Sequence, residues 1–169
     1  MGAVLKRWRK RALEALVILA VIFGAQYWQT RGLPEGAAPV LAGTLLDGRP
    51  ASLDDALKAA GGKPVLVAFW ATWCPVCKAE DGNIESIARD HAVLSVAMQS
   101  EDVVRHMRTR GLSFPTIDDP EGMIASAWKV NGVPAHFVID GAGKVRFRTI
   151  GYATEWGLRA RLWWAENFS

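Results

Sequence analysis

The sequence predicts an α/β domain built on one mixed central sheet flanked by helices, and three features carry that reading. Val65–Ala71 is an unbroken apolar run, the pattern of a central strand covered on both faces. Cys77, Glu80, Ile84, Ile87 and Ala88 then recur at helical steps, and Ala92–Met98 is a second apolar run. Strand, helix and strand in that order imply a crossover and parallel pairing. Further on, Ala135–Ile139 and Lys144–Ile150 flank Asp140-Gly141-Ala142-Gly143, so that pair closes as an antiparallel hairpin at the other side of the sheet.

Taken from the N-terminus, the chain opens with a basic tail over residues 1–11. Lys6, Arg7, Arg9, Lys10 and Arg11 against Glu14 account for more than the whole formal charge of +3, so the body of the protein is near neutral. That excludes a nucleic-acid footprint on the folded part, which would need a basic stripe there. Residues 12–30 read as a single transmembrane helix, apolar from Ala12 to Trp28 except for Glu14 and Gln26, with Tyr27 and Trp28 at the far interface. The preceding basic cluster places the N-terminus on the cytoplasmic side and everything beyond about residue 30 outside. A cleaved signal peptide has the same layout, but cleavage after Ala25 would put the large Phe23 where small residues are usual, which favours an uncleaved anchor. Either way the domain is exported.

Residues 31–39 read as a small, turn-forming tether, and residues 40–169 as the domain. Val40–Ser52 forms a hairpin extension about Asp47-Gly48. Ser52 caps a short helix through Leu53, Ala56 and Leu57, which Gly61-Gly62 ends. After the two parallel strands, a helix over Glu101–Arg110 turns Val103, Val104 and Met107 inward. Phe114–Gly122, with Pro115 and Pro120, reads as a long connection whose Asp118, Asp119 and Glu121 form an acidic surface turn. A short helix spans Met123–Trp128. Gly132-Val133-Pro134 leads into the hairpin, whose second strand alternates Val145, Phe147 and Thr149 with Arg146 and Arg148. Glu155–Trp164 forms a last helix packed through Trp156, Leu158, Leu162 and Trp163.

Chemistry concentrates at Cys74-Pro75-Val76-Cys77, the only cysteines in the chain. Two thiols two residues apart at a helix start can close into a disulfide and reopen by exchange. Cys74, at the positive end of the helix, is favoured as a thiolate, whereas Cys77 lies one turn in, on the inward face. Pro75 suits the first helical position because its missing N–H would have been unpaired. Half of a zinc site is the bland alternative, but His91, His106 and His136 are not at ligand spacing and no second cysteine pair exists. A reduced pair could instead hold Cu(I) in a non-catalytic peptide- or copper-binding module. A peroxidase would need polar groups ahead of Cys74 in a pattern that is missing. Glu80 shares the helix stripe with Cys77, Ile84 and Ile87, so burial brings its proton exchange toward neutral pH, where it can take the Cys77 proton. A solvated carboxylate at the helix start is the alternative. Trp70 is expected in the core and Trp73 on the surface. His136 is read as a hydrogen-bonded core histidine.

The stretch FWATWCPVCKAE, followed by Gly132-Val133-Pro134 and HFVIDGAGKVRF, resembles the thioredoxin-like proteins of bacterial envelopes. Nearest is the membrane-anchored TlpA-like branch, with its cytochrome c maturation reductases and suppressor-of-copper-sensitivity proteins. The resemblance covers residues 38–169 and implies the thioredoxin-like fold with the N-terminal hairpin and anchor as additions. It implies that Cys74 is the nucleophile, that Cys77 resolves the mixed disulfide, and that Pro134 is a cis-proline beside the pair. Trp73, Pro75, Val76, Val133 and Pro134 would form the substrate-binding surface. Glu80 stands where that branch often has a glutamate, whereas the buried aspartate of thioredoxins proper is replaced here by Ala68. Expected partners are cysteine-containing envelope proteins, a membrane electron donor that re-reduces the pair, and the inner membrane; no cofactor or metal is called for. The reducing direction follows from the resemblance alone.

Overall fold

The computed structural model describes residues 2–169, with the side chains of residues 8, 10, 11, 13–18, 20, 21, 24, 25 and 28 and of all residues from 30 onward. It divides after Gly32 into two compact units. In the first, helix α1 (Gly2–Thr30) exposes Leu13, Leu16, Val17, Ile18 and Val21. Among the described residues no helix is long and apolar enough to cross a membrane. The span expected over 12–30 draws on Ala12, Leu19, Ile22, Phe23, Gln26, Tyr27 and Gln29, whose side chains lie outside the described residues.

The second unit is the mixed sheet and its helices. Its strands are β1 (Gly36–Ala37), β4 (Val65–Trp70), β5 (Ala92–Met98), β6 (Thr116–Asp119), β7 (Ala135–Ile139) and β8 (Lys144–Ile150). They lie in the order β1-β8-β7-β4-β5-β6. The β4-β5 and β5-β6 pairs are parallel and the β4-β7, β7-β8 and β8-β1 pairs antiparallel. A separate hairpin pairs β2 (Ala42–Thr44) with β3 (Pro50–Ser52) around Gly48, whose φ of +85° fits the turn. Six buried residues make β4 the centre of the fold, and strand alternation sends them to two cores. Leu66, Ala68 and Trp70 join Cys77, Ile84 and Ile87 of α3 (Pro75–Ala88), Val103 and Met107 of α4 (Val103–Arg110), and Leu158 and Leu162 of α6 (Glu155–Phe168). On the opposite face, Val65, Val67 and Phe69 meet Leu53 of α2 (Leu53–Ala59), Ala125 of α5 (Met123–Ala127) and Trp128. There Phe69, Trp128 and Phe137 pack at ring separations of 4.9 to 5.8 Å.

Local signals that the sequence announces are realised in the fold. Ser52 Oγ accepts the Asp55 N–H at 3.1 Å and caps α2. Gly82 leaves α3 unbroken. Four details correct the sequence reading. The supposed tether is folded from Leu33 onward: Leu33 is buried, Gly36 and Ala37 pair with β8, and Arg148 holds Glu35 and the Leu33 carbonyl. The supposed connection over Phe114–Gly122 contains β6, an edge strand too short to show a periodicity. Its Asp119 is buried and accepts the N–H groups of Ile124 and Ala125 at 3.1 and 2.9 Å, ordering the start of α5. In β8 the alternation breaks at a bulge, where Arg146 has no cross-strand partner and its guanidinium reaches Asp140. Finally, α6 packs through Leu158, Leu162 and Ala165, spaced four and three apart. Trp156 and Trp163 lie seven apart on another face and are exposed, as is Val104 on α4.

Candidate functional site

Strand β4 delivers the chain to the site at its C-terminal end. Thr72 donates its N–H to Ser100 Oγ at 3.1 Å, and the indole N–H of Trp73 donates to the Gln99 carbonyl at 2.9 Å, so the loop after β5 holds the segment before the cysteines. Gln99 itself sits at a φ of 46°, in the left-handed region. Cys74 has extended backbone and acts as the N-cap of α3, with Pro75 opening the helix. Its Sγ accepts the Cys77 N–H at 3.1 Å, at the end of the helix where unpaired N–H groups and the dipole favour negative charge on sulfur.

Cys74 and Cys77 form a disulfide with their Cα atoms 5.3 Å apart, and both residues are buried. Opposite them the Val133-Pro134 peptide bond is cis. Cys74 Sγ lies 3.6 Å from the Val133 carbonyl oxygen. Trp73 is 58% exposed, Pro75 and Val76 are exposed, and Val133 is half-buried. The covered sulfurs therefore have an apolar, accessible rim, and all eight residues singled out in the sequence meet at one end of the sheet.

Beneath the rim is a layer of buried polar groups. Glu80 accepts the Ala153 N–H at 3.2 Å through Oε1, which also lies 3.1 Å from His136 Nε2. Neither side chain is more than 2% exposed. His136 is carried on β7 directly across from Ala68, whose small side chain borders the space that the carboxylate and imidazole share. The buried carboxylate thus comes from the helix, whereas thioredoxins proper supply one from the strand. One residue along α3, Asp81 Oδ2 contacts Arg110 Nε at 2.6 Å and His106 Nε2 at 3.2 Å. Asp81, His106, Arg110 and the Ala153 N–H were not anticipated from the sequence. Asp81 directly follows Glu80, and a second carboxylate at a position flanking the buried stripe was the available signal. Among the described residues no cluster of three or more His, Cys, Asp or Glu is arranged to hold a metal ion.

Residues 34–148 match the family model of the AhpC/TSA family. A thioredoxin-like protein of Haemophilus influenzae is 37% identical over 110 residues, covering 63% of this chain and 65% of that protein. Thiol:disulfide interchange protein DsbE of Escherichia coli K12 is 31% identical over 172 residues, covering 92% of this chain and 90% of that one. Among solved structures, a thiol:disulfide interchange protein of the thioredoxin family from Chlorobium tepidum superposes with a TM-score of 0.67 at 27% identity, over 79% of this chain and 98% of that one.

Proposed function

The chain belongs to the AhpC/TSA family and is a thiol-disulfide oxidoreductase acting on cysteine-containing proteins, and from that premise we propose a membrane-tethered reductase of the bacterial envelope. In this reading α1 is a single-pass anchor with a cytoplasmic N-terminus and the catalytic domain is periplasmic. The basic tail and the exposed apolar side chains of α1, Leu13, Leu16, Val17, Ile18 and Val21, support it, because a bilayer would cover them.

Reaction begins with the reduced pair. The Cys74 thiolate attacks one sulfur of a client disulfide, forming a Cys74-client bond while the second client sulfur leaves as a thiolate. Cys77 then gives up its proton to Glu80 and attacks Cys74 Sγ. The Cys74-Cys77 disulfide forms and the first client sulfur leaves, so the client gains two electrons and the pair loses two. A dithiol donor in the membrane returns the pair to the reduced state by the same exchange in reverse. Trp73, Pro75 and Val76 offer the client an apolar platform. The cis Val133-Pro134 segment lies beside Cys74, where Val133 can pair with extended client backbone.

The observation that carries this reading is Cys74 Sγ as the cap of α3, with the Cys77 N–H on one side and the Val133 carbonyl on the other. Equilibrating the protein with glutathione and counting free thiols by labelling tests the direction. A potential of about −270 mV supports a reductase, whereas a value of about −120 mV makes the protein an oxidant and overturns the reducing assignment. Cys74→Ala abolishes turnover of a disulfide substrate; turnover that survives would overturn the nucleophile assignment.

A further inference from the structure

Behind Cys77 lies a polar pair that is only half satisfied. Glu80 Oε1 accepts the Ala153 N–H and lies 3.1 Å from His136 Nε2. Glu80 Oε2 and His136 Nδ1 are buried and, among the described residues, have no hydrogen-bond partner. Buried polar atoms are almost always paired, so two orphans on one contact call for an explanation. Glu80, His136 and Cys77 all line the same void of about 10 Å³, room for about one water molecule.

We propose that His136 is a positioning residue for Glu80: its Nε2–H, with the Ala153 N–H, occupies Oε1 and leaves Oε2 alone to exchange a proton with Cys77 across the void. This rests on the reading of Glu80 as the proton acceptor and adds the group that aims it. In this arrangement the imidazole proton sits on Nε2 and Nδ1 is a bare lone pair. One water in the void would donate to both Oε2 and Nδ1. During resolution the Cys77 thiol proton passes to Oε2, directly or through that water, as the Cys77-Cys74 bond forms and the Cys74-client bond breaks. When a donor dithiol reopens the disulfide, Cys77 leaves as a thiolate and takes the same proton back. The pair therefore cycles one proton without opening the core to solvent.

Few other titratable groups face Glu80. Cys77 and Asp81 share its helix, and His136 comes from β7. Strand β4 contributes Ala68 and Trp70 to the void, the connection before β6 contributes Phe114, and the segment before α6 contributes only a backbone N–H. His106 and Arg110 of α4 are engaged by Asp81. Among the described residues His136 is thus the one side chain in polar contact with Glu80, and losing it should free Oε1 and slow the proton exchange at Oε2.

The test uses the reduced full-length chain, loaded at Cys74 with 5-thio-2-nitrobenzoate, whose release by Cys77 is followed by stopped flow from about pH 5 to about pH 9. Glu80→Gln slows release about a hundredfold and flattens the pH profile. His136→Phe slows release about tenfold and displaces the pH profile, and His136→Gln, which keeps a donor near Oε1, restores both. Thermal melts establish that each variant is folded; if His136→Phe is not, His136→Asn, one methylene too short to reach, takes its place. A profile for His136→Phe that overlays the unmodified protein, or a His136→Gln variant that fails to restore it, overturns the proposal while leaving Glu80 as acceptor. Unchanged release in Glu80→Gln removes the acceptor reading and the proposal with it.

Discussion

Glu80 and Asp81 are consecutive residues on one turn of α3, both buried, both within reach of a histidine, yet their surroundings differ in kind. Asp81 faces the Arg110 guanidinium and the His106 ring, and Arg110 also donates to the Lys78 carbonyl. His106 stacks against Trp70 at 5.3 Å between ring centroids. That set ties α4 to α3. Among the described residues Glu80 has no guanidinium beside it and keeps one oxygen unpartnered, and it shares a void with Cys77. Burial of a carboxylate is therefore a poor mark of chemistry by itself. An unfinished partner set beside a reacting atom is a better one.

The difference can be broken or sharpened by paired substitutions. The largest effect is expected from Glu80→Gln, about a hundredfold in the rate of disulfide exchange, with the midpoint of urea unfolding nearly unchanged. Asp81→Asn should do the reverse. Removing one partner of a buried ion pair costs about 3–5 kcal/mol. Arg110 is 41% exposed and can turn to water, so a loss of about 2 kcal/mol of stability is expected, with exchange kinetics intact. If Asp81→Asn slows exchange as much as Glu80→Gln, the two carboxylates belong to one proton network and the contrast fails.

Another buried carboxylate, Asp140, serves as a control at the other end of the sheet from the sulfurs. Burial would push its carboxyl up, but the N–H of Lys144, the Arg146 guanidinium and the N–H of Ala142 together hold it below the usual carboxylate range. A depressed carboxyl contributes stability that is present above about pH 4 and is lost as pH falls through its lower folded value. Asp140→Asn should therefore cost about 1 kcal/mol at neutral pH, and the gap to the unmodified protein should narrow under acid. Urea titrations at two pH values check it, and a gap independent of pH would mean that the charge contributes nothing.

Much of this architecture was legible because its signals are local. Six consecutive apolar residues mark β4, a helical stripe marks α3, and a lone pair of cysteines at a helix start marks the exchange site. Burial of Glu80 followed from that stripe. Its partner did not, because the contact with His136 depends on a strand far along the sequence lying beside Ala68 in one register. Strand β6 was hidden for a related reason: four residues between two prolines read as a turn until β5 pairs with them. Leu33 and the pairing of Gly36 with Val145 were hidden because small residues next to an apolar helix look like a spacer. Trp156 and Trp163 misled in the other direction, since large aromatic rings on a helix suggest a core whichever face they occupy.

Trp73 has one further consequence. Its indole nitrogen is clamped to the Gln99 carbonyl while most of its ring stays open to water beside Cys74. Fluorescence from such a ring responds to two separate events. A neighbouring disulfide quenches its emission, and a client peptide that covers the face shifts the emission to the blue by displacing water. Docking and electron transfer therefore leave different optical traces in the same residue, so a Cys74→Ser variant would display the first without the second.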